Sequence, residues 1–297
     1  LFFLNPVSGS PNYHASLSVD PRLDDPVHLL VESDLQGSVI DLPAPAGKSA
    51  DEQRTMTALV APGDSTEIAI NYDGLMRTRV VLGDNGVERG DVVFGGDEPG
   101  VGPDTGISVR GHIPAVVNAS QWWDVWDDMM LWIDEADARD LASGLDPSLP
   151  PNSLGNTNPV STVDITVEGI DAWDVPVGLT RLAGRQEFNE WTMQLNNELA
   201  RGTIVIRAEE SDPIVLLMDF VHIPESEEPE GLSEESSSTV YDPLQDLVPA
   251  DISAIDFTIQ EIYYGTRNFG RWQGTSRPVA SGVTVDILDS DMKGLKL

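Results

Sequence analysis

The chain has no cysteine, and its only lysines in 297 residues are Lys48, Lys293 and Lys296. The first absence excludes disulfides, thiol catalysis and thiolate metal sites. With 17 basic against 50 acidic residues and a net charge of −33, no Lys/Arg stripe exists to neutralise phosphates, so neither nucleic acid nor an anionic membrane surface is an expected partner. No apolar run reaches the 18 or so residues of a membrane-crossing helix, so no membrane span is expected.

Catalytic signatures are missing too. His14, His28, His112 and His222 stand apart, without the close spacing of a zinc site. No nucleophile elbow and no phosphate-binding loop occurs. Gly100, Gly102 and Gly106 miss dinucleotide spacing, because Thr105 stands where the third glycine belongs. The expectation is a protein that is not an enzyme and needs no cofactor.

What is present is negative charge. A chain this acidic repels itself at ordinary salt, and molar salt, with a screening length of about 3 Å, removes most of that cost. The composition therefore points to a halophilic, haloarchaeal origin, since seven tryptophans and many β-branched runs argue against an acidic disordered chain.

Residues 15–118 read as short strands between turn residues: SLSV (16–19), VHLLVES (27–33), STEIAINY (65–72), TRVVL (78–82) and DVVF (91–94). GDNG (83–86) reads as a hairpin turn. The stretch QWWDVWDDMMLWIDEAD (121–137) holds four tryptophans and six carboxylates. At helical phase Trp122, Trp126, Met129 and Ile133 share one stripe and the acids lie opposite, so an amphipathic helix capped by Ser120 is expected. Trp123 and Trp132 fall at the stripe's margins. They are the candidate interface residues, because one underlying sheet rarely covers so wide an apolar face.

Residues 144–162, rich in Pro, Gly, Asn and Ser, read as a linker between a β-rich domain (1–143) and a second domain (163–297). VDITVEGI (163–170) alternates as a strand. RQEFNEWTMQLNNELARG (185–202) is read as a second helix from Phe188, Trp191, Leu195 and Leu199, closed by Gly202. TIVIRA (203–208), PIVLLMDFVHI (213–223), ISAIDFTIQEIYYG (252–265) and SGVTVDIL (281–288) read as strands. The tract PESEEPEGLSEESSS (224–238) carries six glutamates and reads as a solvated loop. The fold class is mainly β (α+β): antiparallel β-sandwich or barrel units with two flanking amphipathic helices.

Asp97, Glu98 and Asp104, in the glycine-rich stretch 95–106, are the oxygen ligands best placed for a cation such as Ca²⁺, though they lack EF-hand order. Asn118, Ala119 and Ser120 form a glycosylation triplet at the expected helix cap.

The succession VDITVEGI, EFNEWTMQLNNELARG, TIVIRA and PIVLLMDF, with the acidic tract as a hairpin tip, resembles the tail tube and tail hub proteins of tailed viruses. The resemblance covers residues 160–297 and rests on the order of elements. It implies a non-enzymatic structural subunit, a tail or capsid component of a haloarchaeal virion, whose partners are copies of itself and other structural proteins. A haloarchaeal cell-surface or filament protein is the first alternative, and a secreted halophilic glycan-active enzyme or ligand-binding protein the second. The expected location is the virion or the extracellular surface.

Overall fold

The computed structural model describes residues 7–20, 27–63, 65–83, 86–100, 102, 105–125, 160–172, 175–188, 190–207, 212–224, 253–279, 282–292 and 295–296. The chain divides into two compact units, Leu1–Leu179 and Thr180–Leu297. Both are built of strands.

In the first unit the strands are β1 (Val7–Gly9), β2 (Tyr13–Val19), β3 (Val27–Ser33), β4 (Ser38–Ile40), β5 (Met56–Ala61), β6 (Thr66–Tyr72), β7 (Met76–Gly83), β8 (Gly86–Phe94), β9 (Gly106–Asn118), β10 (Val160–Ala172) and β11 (Val175–Val177). β1 and β4 form a small ladder of their own. From β2 through β3, β5, β6, β7 and β8 each strand pairs antiparallel with the next. β8 with β9, and β9 with β10, are parallel. The ladder of β7 with β8 closes at Gly83 opposite Gly86, where the sequence signals a hairpin.

In the second unit follow β12 (Thr180–Glu187), β13 (Glu190–Asn196), β14 (Ala200–Arg207), β15 (Ile214–Ile223), β16 (Ile255–Tyr264), β17 (Arg267–Asn268), β18 (Arg271–Val279), β19 (Gly282–Met292) and β20 (Leu295–Lys296). The antiparallel order β12, β13, β14, β15 meets a parallel pairing of β15 with β16, after which β18 and β19 continue antiparallel.

Parallel neighbours need a crossover, and antiparallel ones need only a turn. The chain between β9 and β10 is residues 119–159, and that between β15 and β16 is residues 224–254. Each unit therefore carries a mixed sheet, and the protein is mainly β. Among the described residues the pairwise ladders of each unit trace a mixed sheet, and they do not by themselves establish the expected sandwich or barrel. Of the expected linker 144–162, residues 160–162 open β10 and 144–159 lie outside the described residues, as do residues 225–238 of the acidic tract 224–238.

One helix is described, α1 (119–125), and it is the start of the expected tryptophan helix. Its cap is Asn118 and not Ser120: the Asn118 Oδ1 accepts from the Gln121 amide at 3.0 Å and from the Ser120 hydroxyl at 2.7 Å. Trp126, Met129, Trp132 and Ile133 lie outside the described residues.

The second expected helix is a strand meander. β12 turns at Phe188, left-handed at φ 49°, into β13, and Asn197 closes the next turn by accepting from the amides of Leu199 and Ala200. The reason is legible in the chain. Trp191, Met193 and Leu195 alternate strictly with Thr192, Gln194 and Asn196, the two-residue period of a strand, which overrides the sparser helical spacing. Gly202 lies inside β14, where a Cβ would meet the Leu217 carbonyl oxygen and the Met218 Cα of β15.

Candidate functional site

Paired residues across a ladder share a face, so register assigns every side chain to one side of its sheet. In the first unit one face takes Leu17 and Val19 from β2, Leu29 and Val31 from β3, and Met56, Ala58 and Val60 from β5. It continues through Ile68, Ile70 and Tyr72 of β6, Met76 and Val80 of β7, and Val92 and Phe94 of β8. Ile107, Val109 and Ile113 of β9 and Val163, Ile165 and Val167 of β10 complete it. From β2 to Val167 of β10 no Asp, Glu, Lys or Arg stands on this face in these ladders; Asp171, opposite Asn118, ends it. The opposite face carries Glu32, Glu67, Arg77, Arg79, Asp91, Arg110, His112, Asp164 and Glu168.

Burial gives this pattern its meaning. An apolar sheet face is ordinarily covered by a second layer. Here only Tyr72, Ile113 and Val167 of the face are buried; the rest are half-buried or exposed. Eight strands at about 4.8 Å spacing make the face roughly 34 Å wide. Soluble monomers rarely leave a contiguous apolar patch beyond a few hundred Å², and those that do use it for binding.

The second unit repeats the design with one interruption, since Glu261 pairs with Phe220 on the apolar side. Leu182, Trp191, Met193, Leu195, Ile204, Ile206, Leu216 and Met218 share a face with Ile255, Phe257, Ile259, Trp272, Val285 and Ile287. Met218 is the buried one among them. Arg181, Arg185, Glu190, Arg207, Asp256, Arg277 and Asp286 lie on the other side.

One end of the first face is closed by the compact segment 34–55. The Tyr72 hydroxyl donates to the Ala46 carbonyl at 2.9 Å, and the Arg54 guanidinium lies 5.6 Å from its ring centre. Burial pushes the Tyr72 phenol above its ordinary pKa, with Arg54 opposing. Lys48, 5% exposed, staples the segment: its Nζ donates to the carbonyls of Leu35 (2.9 Å), Ser38 (2.6 Å) and Ser49 (2.8 Å). From α1, the Trp122 Nε1 donates to the Ala44 carbonyl at 3.0 Å.

The loop after β8 crosses the charged face instead. Asp91, buried, accepts from Arg110 Nη2 at 2.9 Å and from the Gly100 amide at 2.9 Å. Val93 on the same side is fully buried. Close passage of β9 here depends on Gly111, at φ 116°, where a Cβ would collide with the Phe94 carbonyl oxygen.

The residues singled out from sequence are placed as follows. Glu98 pairs with Arg77 at 2.7 Å and Asp97 lies 3.7 Å from Arg110, so both carboxylates face arginines and do not converge. Asp104 lies outside the described residues, among which no group of three or more His, Asp or Glu could hold a metal ion. Trp123 is 61% exposed on α1, and Trp132 lies outside the described residues. Sequence reasoning missed the shared uncharged face. Its signal was present strand by strand, but which strands are neighbours comes only from register.

The model of one family, YhdP protein, matches residues 2–297, and the chain belongs to that family. No curated protein and no solved structure matches it. The family is bacterial and associated with the cell envelope, which overturns the tail-protein resemblance, the virion function and location, and the haloarchaeal origin. The resemblance failed for a physical reason as well, since its middle element was the helix at 185–202 that is a strand meander. Acidity alone does not report habitat.

Proposed function

Starting from a bacterial, envelope-associated YhdP-family chain, we propose that it binds the apolar chains of amphiphiles, lipid acyl chains foremost, along the apolar faces of its two sheets, and that it does so as a carrier or scaffold without covalent chemistry. The observation that carries this reading is the run of uncharged ladder positions, most of them incompletely buried, across eight neighbouring strands of the first unit. A flexible hydrocarbon asks only for apolar surface and exclusion of charge. Burying it on such a face is worth roughly 25 cal/mol per Å². The charged reverse face keeps each loaded sheet in water.

The test places a photoreactive benzoylphenylalanine at Ile70 or Val92 on the uncharged face and at Asn71 or Thr57 on the reverse. The variants are irradiated in bacterial cells, and attached lipid is read by mass spectrometry. Lipid adducts at Ile70 and Val92 and none at the reverse positions are expected. Equal labelling of both faces, or none, overturns the reading.

A further inference from the structure

The uncharged face of the first unit runs out to β2 without a change of character. Tyr13, Leu17 and Val19 lie on it and are 73%, 67% and 63% exposed. Every residue of β2 is exposed, and its ladders among the described residues lie on one side only, against β3. Natural proteins blunt such an edge with lysine, proline, a bulge, an inward charge or a short strand. β2, YHASLSV, is seven residues long with no Asp, Glu, Lys, Arg or Pro, and its ladder with β3 has no register shift. The edge strand β19 of the second unit differs: it carries Asp286, Asp289 and Asp291 and folds back into β20.

We propose that the free edge of β2 is an interaction surface that takes up an additional β-strand from another polypeptide segment, extending the first sheet and its uncharged face. Two observations define the partner's chemistry. Facing Tyr13, Leu17 and Val19 the added strand must be apolar at alternate positions, as cross-strand neighbours on one face are. Its other side meets His14, Ser16 and Ser18, and the chain bears a net charge of −33, so polar residues that are neutral or basic fit there and acidic ones are repelled. That charge disfavours a second copy of this chain as the occupant, and β19 of a copy would bring its own three aspartates. Main-chain hydrogen bonds supply the affinity and alternate side chains the selectivity, as in strand addition generally. The inference rests on the geometry of the edge and holds whether or not acyl chains occupy the face.

The probe is a capped, fluorescently labelled peptide, KVTVKVTVK, titrated into the full chain and followed by anisotropy. A control peptide has two adjacent central amides N-methylated, which blocks one hydrogen-bonding position on each of its edges. Saturable binding is expected, at least tenfold weaker for the methylated peptide and for Leu17→Asp, and unchanged for Ile287→Asp on β19. An attraction of charge alone would be strengthened by Leu17→Asp. A urea melt of Leu17→Asp should match the parent, because Leu17 is mostly in water. Equal affinity of the methylated peptide, equal loss with Ile287→Asp, or no binding overturns the proposal. Sedimentation of the parent showing a dimer that Leu17→Asp abolishes also overturns it, by making a second copy the occupant.

Discussion

The two units present a similar apolar sheet face, the second interrupted by Glu261 opposite Phe220, but fasten it differently. In the first, segment 34–55 is folded over one end of the face and held by a buried lysine, while a loop is tied across the reverse face by a buried aspartate. Of the eight buried apolar residues among those described, seven belong to this unit, and Met218 is the second unit's. The difference teaches that, among the described residues, the first sheet is braced by polar staples at its end and back as well as by its ladders, whereas the second is braced chiefly by its ladders.

The largest break in that comparison is expected at Lys48. Lys48→Met strips a charged donor from three carbonyls and should cost the first unit about 3 kcal/mol or more, since buried acceptors left without partners carry their full desolvation penalty. Urea unfolding followed by hydrogen exchange should show β3 to β7 loosening while β12 to β15 keep their protection.

Asp91→Asn comes next. The Arg110 partner is 37% exposed at its side chain, which discounts the pair, so a loss of about 2 kcal/mol is expected, read in the same melt. A variant as stable as the parent would show that the loop over the charged face is incidental.

For the faces themselves, Ile70→Asp and Ile204→Asp each place a charge amid apolar neighbours on one sheet. Each should weaken retention of a fluorescent fatty acid by about tenfold or more in its own unit, roughly 1.4 kcal/mol. If only one of the two variants responds, the units differ in function as well as in fastening.

Trp122→Phe removes the donor to Ala44 and should cost about 1 kcal/mol, whereas Trp123→Ala, with its ring largely in water, should stay within about 0.5 kcal/mol. Thermal melts of the pair separate the two.

The smallest effect is alkaline. The Tyr72 pKa is raised by burial, so the stability this phenol contributes is complete below its unfolded pKa of about 10 and is lost as pH climbs through the folded value. The first unit should therefore lose stability above about pH 10, and Tyr72→Phe should flatten that part of its profile.

The sequence by itself determined that the chain is mainly β, since runs such as VHLLVES and VDITVEGI alternate with a two-residue period that needs no tertiary context to be read. It also supplied the start of the one described helix and the absence of catalytic motifs. It misled where a local pattern had two readings: four apolar residues at helical spacing hid a strict alternation in WTMQLN, and only pairing with β12 and β14 selects between them. It offered Asp97 and Glu98 as cation ligands, yet the partners that neutralise them, Arg110 and Arg77, come from strands distant in sequence. The uncharged face, the Lys48 staple and the unblunted edge at β2 were decided by tertiary structure alone. Each depends on which strands become neighbours and in what register, and register is settled by long-range pairing that no single segment encodes.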